Sequence, residues 1–578
     1  MTFEEKRRGV LRHLREIYDK SIAEAWNDRF CSLLDQYESL LSLHGTKSDG
    51  NLESHSAILI TYGDSILDGQ KESPLSTLHT FLETYVKDAI STVHILPFYP
   101  ASSDDGFSVV DPTMVEPTLG SWDDIASLGK DYRLMFDFVA NHLSRSNAWI
   151  QGALHDDPCY KDFVIEVEPG DDLRYVFRPR TLPLLTTIEG KSIWTTFSED
   201  QIDVNYHNPD VLYHMVEVLL VYIQRGASIV RLDAVAFLWK EFGTNCLHHP
   251  KTHAIIRFFA WILGYLSPSS FLVTETNVPH RDNLSYFGNG HDEATMVYNF
   301  PLPPLVFHTL LSQDASALTC WAQSLLLPSK DVTFFNFLAS HDGIGLMPVK
   351  GILDEKDIEA MADHAVSQGG FVSRKNESDG TTSPYELNIN YFSALSNFSE
   401  GETEDVAIKR FVAASAIMIF FRGIPGIYIH SLVGSSNWYG DEMLKTQRRR
   451  INREKLDYGR LQEELSNPKS RRTRILDQLL RLLSYRKTER AFSTTSEMQV
   501  PAIINPACFV FARCPDDSRQ NLLVVINISS DHQVLQYSSF VSFVGTKVKD
   551  LMTGEMIDSC LELSLQPYQI KILKHVEV

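Results

Sequence analysis

ASIVRLDAV, residues 227–235, is an apolar run of strand length that carries an arginine and a carboxylate near its carboxyl end. Side chains alternate along a strand, so Arg231 and Asp233 point to the same face. The positive charge of Arg231 then lowers the pKa of Asp233 and favours its ionised form. Taken alone, this pair predicts either a structural ion pair or a reactive carboxylate at the end of a buried strand.

Seven further apolar runs of strand length alternate with stretches of helical periodicity. The runs are Ala57–Tyr62, Val93–Tyr99, Arg133–Val139, Phe271–Thr276, Thr295–Phe300, Thr333–Ala339 and Ile424–Ile429. The stretches between them are Leu75–Val86, Trp122–Gly129, Val211–Gln224, Thr252–Leu266 and Ile408–Phe421. Strands separated in this way need crossover connections, which make a sheet parallel. Eight of them predict an α/β protein with a closed (β/α)8 barrel.

The remaining segments predict additions to this barrel, which we place at residues 57–142 and 208–493. The interval 143–207 is too long for a simple loop after the third strand and predicts an inserted domain. Residues 1–56 have a helical pattern and form an N-terminal extension. After residue 494 the short runs FVFARC, NLLVVINIS, VLQYSSFVSFV and KILKHV predict a C-terminal β-sandwich, 494–578. The string KNESDGTTSP, residues 375–384, is typical of a flexible loop.

Composition excludes some partners. The net charge of -21 over 578 residues repels polyanions, so we expect no extended contact with nucleic acid or an anionic membrane. The seven cysteines lack CxxC spacing, which disfavours a disulfide framework and a structural zinc. The N-terminus lacks the apolar core of a signal peptide, and no window approaches eighteen apolar residues. We therefore expect a cytoplasmic protein.

Polar side chains gather at the ends of four predicted strands, where a barrel enzyme has its active site. The third strand ends in DFVANH (137–142), the fourth in Asp233, the fifth in TETN (274–277) and the seventh in SHD (340–342). Each alone has a structural interpretation as an ion pair or a helix cap. Together they supply three carboxylates, an arginine and two histidines, the groups needed to break a glycosidic bond and to hold sugar hydroxyls.

The strings DFVANH, VRLDAVAF, LVTET and FLASHDG resemble the four catalytic motifs of the α-amylase superfamily, glycoside hydrolase family thirteen. The flanking VHILPFYP and GIPGIYIHS resemble its accessory motifs. The resemblance implies that Asp233 is the nucleophile, that Glu275 is the general acid/base, and that Asp342 stabilises the transition state. It also implies that three further residues hold the glucosyl group: His142, Arg231 and His341.

Other strings resemble one branch of this superfamily, the sucrose-phosphorylase-like enzymes. Asp104 and Arg449 are similar to the pair that grips the terminal glucose in that branch, and Phe107 is similar to its aromatic platform. Sucrose phosphorylases have a histidine two residues after the acid/base, whereas this chain has Asn277. The strings TETNVPHRDNLSYFGNG and KNESDGTTSPYELN resemble glucosylglycerate phosphorylases instead. That resemblance implies phosphorolysis of 2-O-α-D-glucosyl-D-glycerate to α-D-glucose 1-phosphate and D-glycerate.

An anionic acceptor and inorganic phosphate both call for cationic side chains. Arg374 and Lys375, which precede Tyr385, are candidates, although two charges in a loop are equally well explained as a solvated face. The chemistry requires no metal and no organic cofactor, with phosphate as co-substrate. Homodimers are common among similar enzymes, and the sequence leaves the oligomeric state and the role of the N-terminal helices open.

Alternatives remain for the activity. The acceptor could instead be that of a sucrose, sucrose 6′-phosphate or glucosylglycerol phosphorylase, and an α-glucosidase of the same fold would release glucose to water. A non-catalytic binding protein of the amylase fold is disfavoured because all three carboxylates stand in place.

Overall fold

The computed structural model describes residues 2–44, 52, 57–69, 73–179, 182–376, 381–398, 401–558 and 562–576. Eight parallel strands close a barrel in the order β1-β8-β7-β6-β5-β4-β3-β2. They are β1 (Ile58–Thr61), β2 (Thr92–Ile95), β3 (Arg133–Phe138), β4 (Ala227–Leu232), β5 (Phe271–Thr274), β6 (Met296–Tyr298), β7 (Thr333–Phe337) and β8 (Ile424–Tyr428). Each coincides with one of the eight runs found in the sequence, although β2 begins one residue before its run, so the predicted (β/α)8 barrel is confirmed.

The helices between the strands begin at recognisable caps. Ser73, Asn208 and His249 accept hydrogen bonds from backbone N–H groups of the helices that follow, each of which has proline in its first turn. The main helices of the barrel are Pro74–Tyr85, Trp122–Asp131, Pro209–Gln224, Pro250–Leu266, Leu302–Ser312, Ser316–Gln323, Glu404–Phe420 and Arg471–Thr488. Their apolar faces join one core with the barrel strands.

Two N-terminal helices, Phe3–Ile17 and Lys20–His44, lie against the barrel helices Pro250–Leu266 and Pro209–Gln224. Their buried residues belong to the same core as the barrel. Tyr18, directly after the first helix, donates its hydroxyl to the carbonyl of Tyr206 at 2.9 Å. Tyr206 in turn donates to the carbonyl of Ala140, just past β3, at 2.8 Å. The N-terminal helices thus support the backbone behind one of the motifs.

Residues 143–207 fold between β3 and the helix Pro209–Gln224. They contain the helix Ala148–Leu154 and the hairpin of Leu185–Ile188 with Lys191–Trp194, and Gln201–Asp203 pairs with His142–Ser144. Buried Asp203 accepts from the ammonium group of Lys240 at 2.7 Å. Because Lys240 also donates to Asn141 at 2.7 Å, one buried cation ties this segment to the end of β3.

The C-terminal part has a six-stranded sheet of Glu497–Gln499, Cys508–Cys514, Leu522–Asn527, Ile570–His575, Lys547–Asp550 and Met556–Asp558, paired antiparallel in that order. A two-stranded sheet of Gln533–Gln536 and Glu562–Leu565 packs on one face. The interpretation of VLQYSSFVSFV as one β run was wrong after Gln536, where a 3-10 turn, Tyr537–Phe540, and a helix, Val541–Val544, follow. Tyr537, Phe540 and Val544 are buried at helical spacing, which a short apolar run does not distinguish from a strand.

A hairpin of Phe371–Asn376 and Thr382–Asn388 lies at the rim of the barrel and pairs with Ile344–Gly345, just after β7. The predicted flexible loop at 375–384 is therefore wrong for its described residues, because Lys375 pairs with Ser383 in the hairpin. The polar composition of the string reflects a rim position. Residues 377–380 of that string lie outside the described residues. Within the described ranges, no helix is long and apolar enough to cross a membrane.

Candidate active site

A cavity of about 570 Å³ opens at the carboxyl ends of the barrel strands. Three of its walls come from the barrel motifs, the fourth from the hairpin at 371–388, and Phe177 and Phe197 reach it from the inserted segment. Every residue that the sequence assigned to the site lines this cavity except Arg231, which lies buried beneath it: Asp104, Phe107, His142, Asp233, Glu275, Asn277, His341, Asp342, Arg374, Lys375, Tyr385 and Arg449.

Arg231 organises the floor of the cavity. Its guanidinium donates to Asp233 Oδ1 at 2.8 Å and to buried Asp137, and its Nε donates to the hydroxyl of Tyr298 at 3.1 Å. Glu275 Oε2 lies 4.0 Å from the same guanidinium. The carboxylates of Asp233 and Glu275 thus bracket one cation, as the close carboxylate pair of a retaining glycosidase requires.

The electrostatics of this carboxylate pair favour one shared proton. Burial raises the pKa of Asp233 to about 8, so the lowered pKa expected from the sequence is wrong: Arg231 does lower it, but burial and the charge of Glu275 outweigh Arg231. Burial and the charge of Asp342 likewise raise the pKa of Glu275. The direct hydrogen bond from Arg231 stabilises the anion of Asp233. The proton therefore resides on Glu275, whose other contact is the backbone N–H of Ala234 at 3.1 Å. This assignment gives an ionised nucleophile beside a protonated acid.

Asp342 is held by a second arginine. Burial raises its pKa, but the surrounding groups, Arg449 first among them, together outweigh burial and leave the pKa well below its usual range. Arg449 donates to Asp342 and, through Nε at 3.1 Å and Nη2 at 2.6 Å, to both oxygens of Glu386 in the hairpin. Such a forked contact fixes the guanidinium plane, so the anion of Asp342 has a fixed position.

Aromatic and amide side chains complete the wall opposite the hairpin. Phe107 stacks on His341 with ring centroids 4.9 Å apart. Burial lowers the pKa of His341 to about 3, so the ring is neutral, and its Nδ1 has no partner among the described residues. Asn141 donates to Nδ1 of His142 at 3.2 Å, which leaves His142 Nε2–H to donate to the carbonyl of Phe107.

The side chain of Asn277 lies beside Gly345, and Gly345 belongs to the strand that pairs with the hairpin. A β-carbon at Gly345 would lie 2.7 Å from the amide nitrogen of Asn277, so any other residue at 345 would displace the Asn277 side chain from this position. Asn277 Oδ1 is buried and has no hydrogen-bond partner in the described chain. An orphaned buried acceptor facing a cavity is suited to a hydroxyl of a bound molecule.

Arg374, Lys375 and Tyr385, which the sequence assigned to the acceptor or phosphate, differ in their contacts. Arg374 donates to both oxygens of Glu359, at 3.1 and 2.8 Å, so an anion bound there would compete with a carboxylate. Lys375 follows it in the same strand, and Tyr385 lies in the partner strand. All three line the cavity near its mouth, but their contacts do not by themselves define an anion site.

Sequence reasoning missed several side chains that build this site. Glu386 stands inside the quoted string KNESDGTTSPYELN but was not singled out, and Gln201 donates to Asp104 at 3.1 Å from the inserted segment. Asp137 and His94, paired at 2.7 Å, lie behind Arg231. Asp137 could have been found because it stands in the DFVANH motif, whereas no local pattern indicates Gln201 or Glu386.

Among the described residues, one group has the ligand spacing for a metal ion: His79, Glu83 and Asp131. It lies on helices of the barrel exterior rather than in the cavity. His79 pairs with Asp131 at 2.9 Å, while Lys87 and Tyr132 contact Glu83. These contacts account for the group as ordinary ion pairs.

Comparison with known proteins agrees with this geometry. Residues 82–342 match the family model described as alpha amylase, catalytic domain. A glucosylglycerate phosphorylase of Allomeiothermus silvanus is 45% identical over 98% of each chain, and that of Escherichia coli is 40% identical over 97% of this chain and 99% of its own. The crystal structure of sucrose 6F-phosphate phosphorylase from Thermoanaerobacter thermosaccharolyticum has a TM-score of 0.70 and 27% identity, covering 83% of this chain and 95% of that one.

The chain therefore belongs to the α-amylase family. Within that family it is similar, over almost its full length, to proteins named glucosylglycerate phosphorylase.

Proposed function

We propose that this protein is a retaining glycoside phosphorylase that interconverts 2-O-α-D-glucosyl-D-glycerate and phosphate with α-D-glucose 1-phosphate and D-glycerate. The observation that carries the proposal is the buried Asp233–Arg231–Glu275 cluster, in a chain 45% identical to a glucosylglycerate phosphorylase over 98% of its length. The cluster supports the chemistry, and the relatives support the acceptor.

In the first step a carboxylate oxygen of Asp233 attacks C1 of the glucosyl group, and the bond from C1 to the glycerate oxygen breaks. Glu275 gives its proton to that oxygen, and D-glycerate leaves. The product is a β-linked glucosyl ester of Asp233. Arg231 orients the carboxylate for attack and stabilises the same carboxylate as it leaves again in the second step.

In the second step a phosphate oxygen attacks C1 from the face that glycerate vacated, and the ester bond to Asp233 breaks. The ionised Glu275 takes a proton from the attacking phosphate. Two inversions at C1 restore the α configuration, so the product is α-D-glucose 1-phosphate. Asp342, fixed by Arg449, stabilises the positive charge that develops on the sugar ring in both steps.

The proposal extends to the ligands. Phosphate is the co-substrate, and neither a metal ion nor an organic cofactor takes part in either step. The orphaned Oδ1 of Asn277 is suited to a hydroxyl of the acceptor, and Arg374, Lys375 and Tyr385 are our candidates near the acceptor or phosphate charge. A cytoplasmic location and a homodimeric assembly remain predictions from the sequence.

The experiment runs the reaction in the synthetic direction. The protein is incubated with α-D-glucose 1-phosphate and, separately, D-glycerate, fructose, fructose 6-phosphate or glycerol, while released phosphate is measured. We expect release that depends on D-glycerate. Preference for another acceptor would replace the acceptor and keep the mechanism, acceptor-independent release would indicate a hydrolase, and no release would refute the proposal. Asp233→Asn is the inactive control.

A further inference from the structure

The backbone that carries Asp104 is strained. Asp104, Asp105 and Gly106 have consecutive positive φ values of 52°, 49° and 108°. Glycine is required at the third position, because a β-carbon there would lie 2.6 Å from the carbonyl oxygen of Pro97. Aspartate tolerates the left-handed region better than most residues, but two in succession need support from their surroundings.

That support comes from across the cavity. One carboxylate oxygen of Asp105 accepts from Arg450 and the other from Arg453, which lie 345 and 348 residues further along the chain. Arg450 is itself paired with Asp441, and Arg453 donates through Nε to the carbonyl of His341 at 2.9 Å. We call this arrangement of Asp105, Arg450 and Arg453 the Asp105 clamp.

The clamp lies between groups that face the donor sugar. Asp104 precedes Asp105 and accepts from Gln201 at 3.1 Å, and Phe107 follows the turn and stacks on His341. Arg449 precedes Arg450 and holds Asp342. Asp105 itself does not line the cavity. It therefore acts on the sugar only through its neighbours on both sides of the pocket.

We propose that Asp105 is a positioning residue whose clamp fastens the turn 103–107 across the donor end of the cavity, holding Asp104 and Phe107 against the glucosyl group and excluding water from it. The proposal rests on the proposed function, because a glucosyl ester that waits for phosphate must be protected from hydrolysis. The clamp joins two segments that have no other covalent or sheet connection at this point. Loss of its charge opens the pocket on that side.

The test uses Asp105→Asn, which keeps the size of the side chain and its tolerance of the left-handed region but removes the charge. The donor is α-D-glucosyl fluoride, whose fluoride release reports formation of the glucosyl ester whatever the natural leaving group is. The products with phosphate present, glucose and glucose 1-phosphate, report how the ester divides between water and phosphate. The matched control is Asp64→Asn, because Asp64 in the loop after β1 pairs with Lys455, two residues after Arg453, and so removes a carboxylate–cation pair of the same segment outside the turn 103–107.

For Asp105→Asn we expect kcat/KM for fluoride release to fall about tenfold and the glucose share of product to rise about fivefold, with Asp64→Asn close to wild type. Arg450→Gln should give a smaller change of the same kind. Adding it to Asp105→Asn should change little, because both substitutions remove the same ion pair between Asp105 and Arg450. The melting temperature of each variant shows that it is folded. A folded Asp105→Asn with the wild-type product ratio overturns the proposal.

If Asp105→Asn does not fold, the product ratio of Arg450→Gln decides: an unchanged ratio overturns the clamp and a raised glucose share supports it. Wild-type protein that releases no fluoride would overturn the proposed function and, with it, this proposal. Wild-type release with unchanged Asp105→Asn would overturn the clamp alone.

Discussion

The donor end and the proposed acceptor end of the cavity stand on different kinds of backbone. The donor end is built by Arg231, Asp233, Glu275, Asp342 and Arg449. The acceptor end is formed by the hairpin 371–388. Four donor groups stand on or just after barrel strands, and Arg231 is 1% exposed. The proposed acceptor end is an added hairpin at the rim, where the side chain of Arg374 is 40% exposed. The proposal thus assigns the reaction chemistry to rigid strands and the choice of acceptor to a rim segment outside the barrel.

The largest effect is expected from substitution of the nucleophile, Asp233, at the donor end. Asp233→Asn should lower both fluoride release from α-D-glucosyl fluoride and phosphorolysis by at least about 10⁴-fold, because no other carboxylate can form the ester. Steady-state rates of the two reactions measure the loss. The fold should survive, as Asn keeps the contact with Arg231. Turnover near the wild-type rate would contradict the mechanism.

Arg449 tests whether the donor end extends beyond the barrel strands. Arg449→Met should lower kcat/KM for fluoride release by about 10²-fold, since Asp342 loses the cation that keeps it ionised and in place. The neighbouring Arg448→Met is the control, because Arg448 also lines the cavity but contacts the carbonyl of Val372 and the ring of Phe371 in the hairpin instead of Asp342. Equal losses in both variants would show that the segment acts as a whole rather than through Arg449.

The pH dependence sharpens the assignment of the shared proton. Because burial raises the pKa of both Asp233 and Glu275, the pair keeps one proton at neutral pH and loses it at alkaline pH. The kcat/KM for a natural glucoside, measured from pH 5 to 10, should therefore fall at alkaline pH, by about tenfold per unit once the proton is lost. Glu275→Gln with α-D-glucosyl fluoride, which needs no acid, should lack this alkaline limb.

The smallest expected effect lies at the acceptor end. Arg374→Gln should raise KM for the acceptor or for phosphate about fivefold and leave fluoride release from α-D-glucosyl fluoride unchanged, because the donor end does not contact it. Arg174→Gln removes a forked pair with Asp172, more exposed than that of Arg374 and away from the hairpin, and serves as the control. A loss of fluoride release in Arg374→Gln would show that the two ends are coupled.

The sequence by itself determined the barrel and the catalytic groups. Strand runs and helix periods are local patterns, and the carboxyl ends of parallel strands always meet at one rim, so Asp233, Glu275 and Asp342 could be brought together without coordinates. The same argument failed for the hairpin, where a polar string indicated a loop although its residues pair as strands. Local composition reports exposure there, not pairing.

Only the tertiary structure decided how the rim is fastened. Glu386 reaches Arg449, and Asp105 reaches Arg450 and Arg453, although each pair is far apart in the chain. The first pair spans 63 residues of chain, and the pairs of Asp105 span 345 and 348. Such pairs depend on where the loops after different strands meet, and no periodicity in the sequence records that position. The physical reason is that a strand fixes its side chains by a repeating backbone geometry, whereas a loop takes its shape from the partners it finds in the fold.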